Sequence, residues 1–265
     1  MINLSSKNKE KIIKNALKNN VELQNILLKE YFDKINNNCL KFDSFSNLID
    51  NLENDLNNLD LTKYYLLNSI KEILLKYGFI EFNKGISKIA FYNQQFNKVL
   101  LLSYNKLGYN SNNNLYINLN HSSFLDYDYL LNFNRFNIIT CDYIKKLDKK
   151  EFKKQFLKEF KITFKEFKNL ILELNEYYES AYLHNYYKNL DEFESNFYKK
   201  YENNDNFINL FEFIDFYIFD VLKGHGLRLD PNIENFTFYN ANLLCFDYGN
   251  FIKDSYNLNR KDILR

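Results

Sequence analysis

The chain is 265 residues long, 46% hydrophobic and 18% aromatic, far more apolar than a disordered polypeptide and enough to build a substantial core. Its 35 Lys and Arg nearly balance 34 Asp and Glu, leaving a net charge of +1 and no long block of like charge, so bulk electrostatics gives no argument for a nucleic-acid partner. Cys39, Cys141 and Cys245 lie far apart without C-x-x-C spacing, which argues against a disulfide framework or a zinc site and fits a reducing, cytoplasmic setting.

The most apolar run, Leu210 to Leu222, is broken by Glu212, Asp215 and Asp220, and the Lys-rich stretch Met1 to Lys18 has no apolar centre. Neither a membrane span nor an export signal is expected. Asn fills 44 of the 265 positions, the bias of an AT-rich coding sequence, so a pattern that needs one Asn carries weight only with support from its neighbours.

From Ser5 to Tyr77 apolar residues recur at helical spacing, as in Ile12, Ile13, Ala16 and Leu17, then Leu23, Ile26 and Leu27, and later Leu66, Leu67, Ile70, Ile73 and Leu74. Three or four helices are expected over residues 1–77, with Asp60 as an N-cap and Gly78 as the stop of the last. They are expected to form a helical extension, which in an interaction scaffold would offer a surface to a protein partner. The period then shortens. Phe79 to Phe82, Ile86 to Tyr92 and Val99 to Tyr104 read as a three-stranded antiparallel meander, followed by an irregular Asn-rich stretch, a helix around Phe124 to Leu131 and a strand from Phe136 to Ile144.

Helical spacing returns in segments near 149–158, 163–188 and 205–223, the last apolar on most sides and so buried. The Lys-rich run Lys145 to Lys168 is interleaved with Glu151, Glu159 and Glu166 and reads as a solvated helix face. Phe236 to Phe238 and Leu243 to Phe246, around Asn240 and Asn242, complete a second hairpin. The fold class expected is α+β: a helical extension over 1–77, a small β-rich region over 78–144, and a helical region with a hairpin over 145–265.

The chemistry concentrates between 225 and 250, where Asp230, Asn235 and Asp247 surround the expected hairpin. Asp230-x4-Asn235 followed by Phe246-Asp247-Tyr248-Gly249 resembles the catalytic loop and Asp-Phe-Gly motif of the protein-kinase-like superfamily. The meander with its Gly85-Ile86-Ser87-Lys88 turn is similar to the nucleotide-covering hairpin of that fold, and Ile138 to Ile144 to its strand and hinge. The likeness extends more loosely to kinase-like proteins of phage and bacterial genomes.

The resemblance implies a two-lobed fold that binds Mg²⁺ and ATP or another purine nucleotide. By it Asp230 orients or deprotonates an acceptor hydroxyl, Asn235 and Asp247 hold the metal, and Gly85, Ser87, Lys88, Lys98, Asp142 and Ile144 contact the nucleotide.

Several positions depart from that pattern. Leu101 stands where the phosphate-binding lysine belongs, leaving Lys98, Lys88 or Lys106 as displaced substitutes. No Glu lies between Phe82 and Lys150 to pair with that lysine, so Asp126 or Asp128 is the nearest approximation, and Arg228-Leu229 replaces the usual His-Arg. The expected function is therefore a pseudokinase or an atypical phosphotransferase. The rival is a non-catalytic interaction scaffold, of phage or mobile-element type, with no nucleotide site. His121, Ser122, Ser123 and Asp126 read as an N-cap region rather than a hydrolase triad, and His184 and His225 as ordinary polar positions.

Overall fold

The computed structural model describes residues 39–59, 66–117, 119, 121–184, 190–201, 208–248 and 250–251. The helices expected before residue 39, the Asp60 N-cap, residues 185–188 and 205–207 of two expected helices, and Gly249 lie outside them. The fold is α+β, with seven α-helices among the described residues and a five-stranded antiparallel sheet. The chain divides into two compact units. One takes the described residues up to Ile80 together with Tyr92–Phe96, and the other takes Glu81–Phe91 and everything from Asn97 onward.

In the first unit, α1 (Phe45–Asn57) and α2 (Leu66–Lys76) bury Leu48, Ile49, Leu52 and Leu56 and Leu66, Ile70 and Leu74, the periodic apolar positions of each helix. Ser44 caps α1 by accepting the Asn47 N–H at 3.2 Å. Gly78 stops α2 at φ +78°, a left-handed conformation that a side chain would strain.

The sheet runs in the order β1 (Phe79–Lys84), β2 (Lys88–Asn93), β3 (Lys98–Ser103), β5 (Phe136–Asp142), β4 (Tyr129–Phe133). Between β3 and β4 lies a helix, α3 (Lys106–Leu115), where an irregular stretch is expected, and residues 124–128 are non-helical where a helix is expected. The reason is tertiary. The buried residues of α3 include Ser111, Asn112 and Asn114, so it lacks an apolar stripe, and it is joined to the sheet by polar contacts: Asn112 Nδ2 donates to the Leu101 carbonyl at 3.0 Å and to Asn137 Oδ1 at 3.0 Å, while Asn112 Oδ1 is buried without a partner. Ser123 caps no helix either. Its N–H donates to His121 Nδ1 at 3.1 Å, its carbonyl accepts the Cys245 N–H at 2.8 Å, and Phe124 bridges Cys245 in parallel.

The helical part contains α4 (Lys149–Phe160), α5 (Phe164–His184), α6 (Leu190–Tyr201) and α7 (Ile208–Phe216), which continues as a π-helix over Tyr217–Gly224. α6 falls between the helical segments read from the sequence. The hairpin is present as β7 (Phe236–Tyr239) and β8 (Asn242–Cys245), closed by Asn240 and Ala241 at φ 49° and 67°, the paired left-handed residues of a tight primed turn. β6 (Leu227–Arg228) pairs with β9 (Asn250–Phe251).

The core of this unit mixes aliphatic side chains with a dense cluster of aromatic rings. Phe156 is 0% exposed and its ring lies within 4.8–6.4 Å of those of Phe152, Phe160, Phe164, Phe167 and Phe238. Phe156→Ala is expected to cost about 3–5 kcal/mol in denaturant-induced unfolding, because so many rigid rings cannot collapse into the space left behind.

Candidate functional site

A cavity of about 700 Å³ opens in the second unit between the β1–β2 turn, the segment after β5 and the end of β8. Val99 and Leu101 of β3 with Leu125 and Cys141 supply its apolar wall, while Gly85, Lys88, Asp142, Ile144, Asn235 and Asp247 all line it. Six of the nine residues singled out from the sequence thus share one cavity. Asp230 adjoins it through Asn235, and Ser87 and Lys98 are placed otherwise.

Asp230 follows a backbone held at both polar groups. The π-helix presents the buried Tyr217 hydroxyl, which accepts the Leu229 N–H at 3.1 Å and donates to Asn175 Oδ1, while Asn175 Nδ2 donates to the Leu229 carbonyl at 3.0 Å. Arg228, one residue earlier, is ion-paired with Glu179 of α5. Beyond this anchor, Asn235 Nδ2 donates to the Asp230 carbonyl at 3.1 Å and to its Oδ2 at 3.2 Å. Burial, with the nearby Asp247 charge, raises the Asp230 carboxyl above its ordinary value, partly offset by Asn235, Lys168 and Arg228.

Asp247 sits between two further anchors. The Tyr127 hydroxyl donates to the Phe246 carbonyl at 2.8 Å, and the Tyr248 hydroxyl lies 2.9 Å from the Leu125 carbonyl and 3.3 Å from that of Leu115, the last residue of α3. The Phe246 N–H donates to the Asn235 carbonyl at 2.8 Å, tying the two halves of the motif together. With its main chain so held, Asp247 has a buried Oδ1 with no hydrogen-bond partner. An unpartnered buried carboxylate oxygen is costly, and a cation is the group that would satisfy it. Among the described residues no three His, Cys, Asp or Glu side chains gather closely enough to hold a metal. A cation at Asp247 would thus draw further ligands from neutral oxygens such as that of Asn235 and from a bound phosphate.

The three candidate lysines take different positions. Lys106 is the exposed first residue of α3. Lys98 is committed elsewhere: the β3–β5 register puts it opposite Asp142, to which it is ion-paired at 2.8 Å, and it also pairs with Asp128. Burial alone would lower its pKa, but the two carboxylates outweigh that effect and raise it. Lys88 instead lines the cavity, and its Nζ donates to Ser111 Oγ of α3, which is not among the lining residues, at 2.9 Å. Burial lowers its pKa, with Asp247 the first charge acting in opposition. Ser111 therefore meets the cavity lysine where a carboxylate is expected, and Asp126 and Asp128 do not.

The β1–β2 turn is fastened to the N-terminus of α3. The Tyr104 hydroxyl donates to the Gly85 carbonyl at 2.6 Å, the Tyr104 N–H to the Ser87 carbonyl at 3.2 Å, and Asn105 Nδ2 to the Ile86 carbonyl at 3.2 Å, while Asn105 Oδ1 caps α3 by accepting the Gly108 N–H at 2.9 Å. A Cβ on Gly108 would lie 2.2 Å from the Ser87 oxygen, so only glycine permits this approach. Ser87 thus serves the turn's attachment and is not among the residues lining the cavity. After β5, the Tyr143 N–H is used by the Asn97 carbonyl at 2.9 Å. Ser111, Lys146, Tyr127 and Gly108 are the site residues that sequence reasoning missed. Gly108, one of six glycines in the chain, was the available signal.

Comparison with protein-family models, curated proteins and solved structures finds no match for this chain.

The raised Asp230 carboxyl makes a pH-dependent prediction. A carboxyl whose pKa rises on folding costs stability once ionised, above its folded pKa, and costs nothing below its unfolded pKa, where both states are protonated. Asp230→Asn should therefore raise the melting temperature modestly at pH 7, and the gain should disappear as the pH falls below about 3.9.

Proposed function

We propose that the second unit is a divergent protein-kinase-like domain, two-lobed in the manner of that fold, that binds a magnesium complex of ATP or another purine nucleotide in the cavity at Asp247. The observation that carries this reading is the buried, unpartnered Oδ1 of Asp247 in the same cavity as the Lys88 ammonium. A carboxylate that needs a cation and an ammonium that needs an anion are the complementary demands that a metal–phosphate ligand meets. The element order supports it too: a small sheet with a helix after β3, then helices, then a hairpin that brings Asp230, Asn235 and Asp247 together.

In this reading Asp247 and the Asn235 carboxamide oxygen would hold a magnesium ion. When bound, the ion neutralises charge on the phosphates and orients them. Lys88, held by Ser111, supplies the ammonium that the third strand lacks, and the apolar wall of Val99, Leu101 and Leu125 receives the base. Asp230, fixed by the Leu229 anchor and by Asn235, is the residue that would orient or deprotonate an acceptor hydroxyl, and its raised carboxyl shifts its proton affinity toward that of a base. The domain is a pseudokinase if nucleotide binds without turnover and an atypical phosphotransferase if phosphate is transferred.

Titration of the full chain with ATP or GTP, each with and without Mg²⁺, tests the reading by thermal unfolding. Saturation near one hundred times the dissociation constant should stabilise the protein by about 2.7 kcal/mol. That gain should require the metal and vanish in Asp247→Asn. Absence of any shift would reject the nucleotide site and leave an interaction scaffold as the reading to pursue. Transfer of the labelled γ-phosphoryl group from ATP to an acceptor hydroxyl, or its slow release when water is the acceptor, with ADP as the leaving group, and its loss in Asp230→Asn while binding persists, would separate a transferase from a pseudokinase.

A further inference from the structure

The charged groups lining the cavity are unevenly paired. Asp142 is ion-paired with Lys98 at 2.8 Å, and Glu234 with Lys149 at 2.5 Å, both by lysines that do not line the cavity. What remains in the lining are three ammonium groups, Lys88, Lys145 and Lys146, against the carboxylate of Asp247, with Asp230 adjoining the cavity and Glu234 also acting on Lys146. One magnesium ion at Asp247 would add to that positive excess, which favours a ligand carrying several negative charges.

Lys146 is the best placed to meet them after Lys88. It lies in the segment between β5 and α4, donates one hydrogen bond to the Glu234 carbonyl, and holds its Nζ 4.5 Å from the centroid of the Phe246 ring, the residue next to Asp247. An ammonium has three donors, and the Glu234 carbonyl uses one. Lys146 is exposed as a residue, yet burial of its ammonium lowers its pKa, with Glu234 and Asp247 opposing.

Resting on the nucleotide reading above, we propose that Lys146 is a second phosphate-binding residue, so that the phosphate chain is gripped by two ammonium groups, one from β2 and one from the segment after β5. The site is thereby specific for polyphosphorylated ligands. Lys88, engaged with Ser111, and Lys146, engaged with Glu234, reach it from different parts of the chain and share only Asp247 as a neighbouring charge.

The test is calorimetric titration of the full chain, in Mg²⁺, with ATP, ADP and AMP for the wild type, Lys146→Met and Lys146→Arg. A charge-assisted hydrogen bond contributes about 1.5–3 kcal/mol, so Lys146→Met should weaken ATP by about tenfold or more. The loss should shrink through ADP to AMP, and Lys146→Arg should restore most of it. An equal loss for all three nucleotides, or none, would make Lys146 only a strut between Glu234 and Phe246 and overturn the proposal while the nucleotide site stands. No binding of any nucleotide by the wild type would overturn both. Should the methionine variant fail to fold, Lys146→Gln keeps a donor for the Glu234 carbonyl and is read in the same way.

Discussion

A buried tyrosine hydroxyl must find a polar partner, and this protein uses that requirement to build its cavity. Tyr248 is almost wholly buried, and its hydroxyl reaches the carbonyls of Leu115 and Leu125. With one side chain the residue after Asp247 is fixed to the end of α3 and to the segment beside β8. Tyr127 secures the carbonyl before Asp247 and Tyr217 the amide before Asp230. Each carboxylate of the motif therefore hangs from a main chain held by a tyrosine, and the phenyl bodies of these residues pack into or against the same core.

That device suits the composition. A chain with 26 Phe, 22 Tyr, a single Pro and no Trp has little rigid punctuation, and large rings with few rotatable bonds are its main source of stiffness. Buried asparagines complete the work. Asn112 and Asn137 join α3 to the sheet, and Asn175 secures Leu229, so residues usually found at the surface act here as internal fasteners.

How much of this was legible in the sequence follows from what each signal measures. The hairpin over 236–245 was readable because two apolar runs flank a turn with Asn at its first position. The helices at 149–160 and 164–184 were readable because their buried positions are apolar at the right spacing. α3 was hidden because its buried residues are largely Asn and Ser, which periodicity assigns to solvent. Residues 124–128 mimic a short buried helix in sequence because their apolar members bind β8 on one side and the core on the other. Asp230, Asn235 and Asp247 could be picked out only through their resemblance to a known motif, since spacing alone says little in a chain so rich in Asn, and they lie near one another in the fold. The lysines could not be ranked, since what occupies Lys98 is a cross-strand register with Asp142 and a contact with Asp128, and neither is visible along the chain.

The attachment of the β1–β2 turn to α3 has a mechanical consequence. A hairpin tip above a cavity is ordinarily free to flutter independently of the body beneath it. Here the tip, the helix cap and the cavity lysine form one lever: the turn is bonded to Tyr104 and Asn105, Gly108 brings the helix against the Ser87 carbonyl, and Ser111 on the next turn of that helix accepts from Lys88. A chain of contacts thus runs from the Lys88 ammonium through Ser111 along α3 and, by way of the Leu115 carbonyl, back to Tyr248, the residue that follows Asp247. The loop of contacts closes on itself, so the Lys88 ammonium and the main chain beside Asp247 are anchored to the same helix.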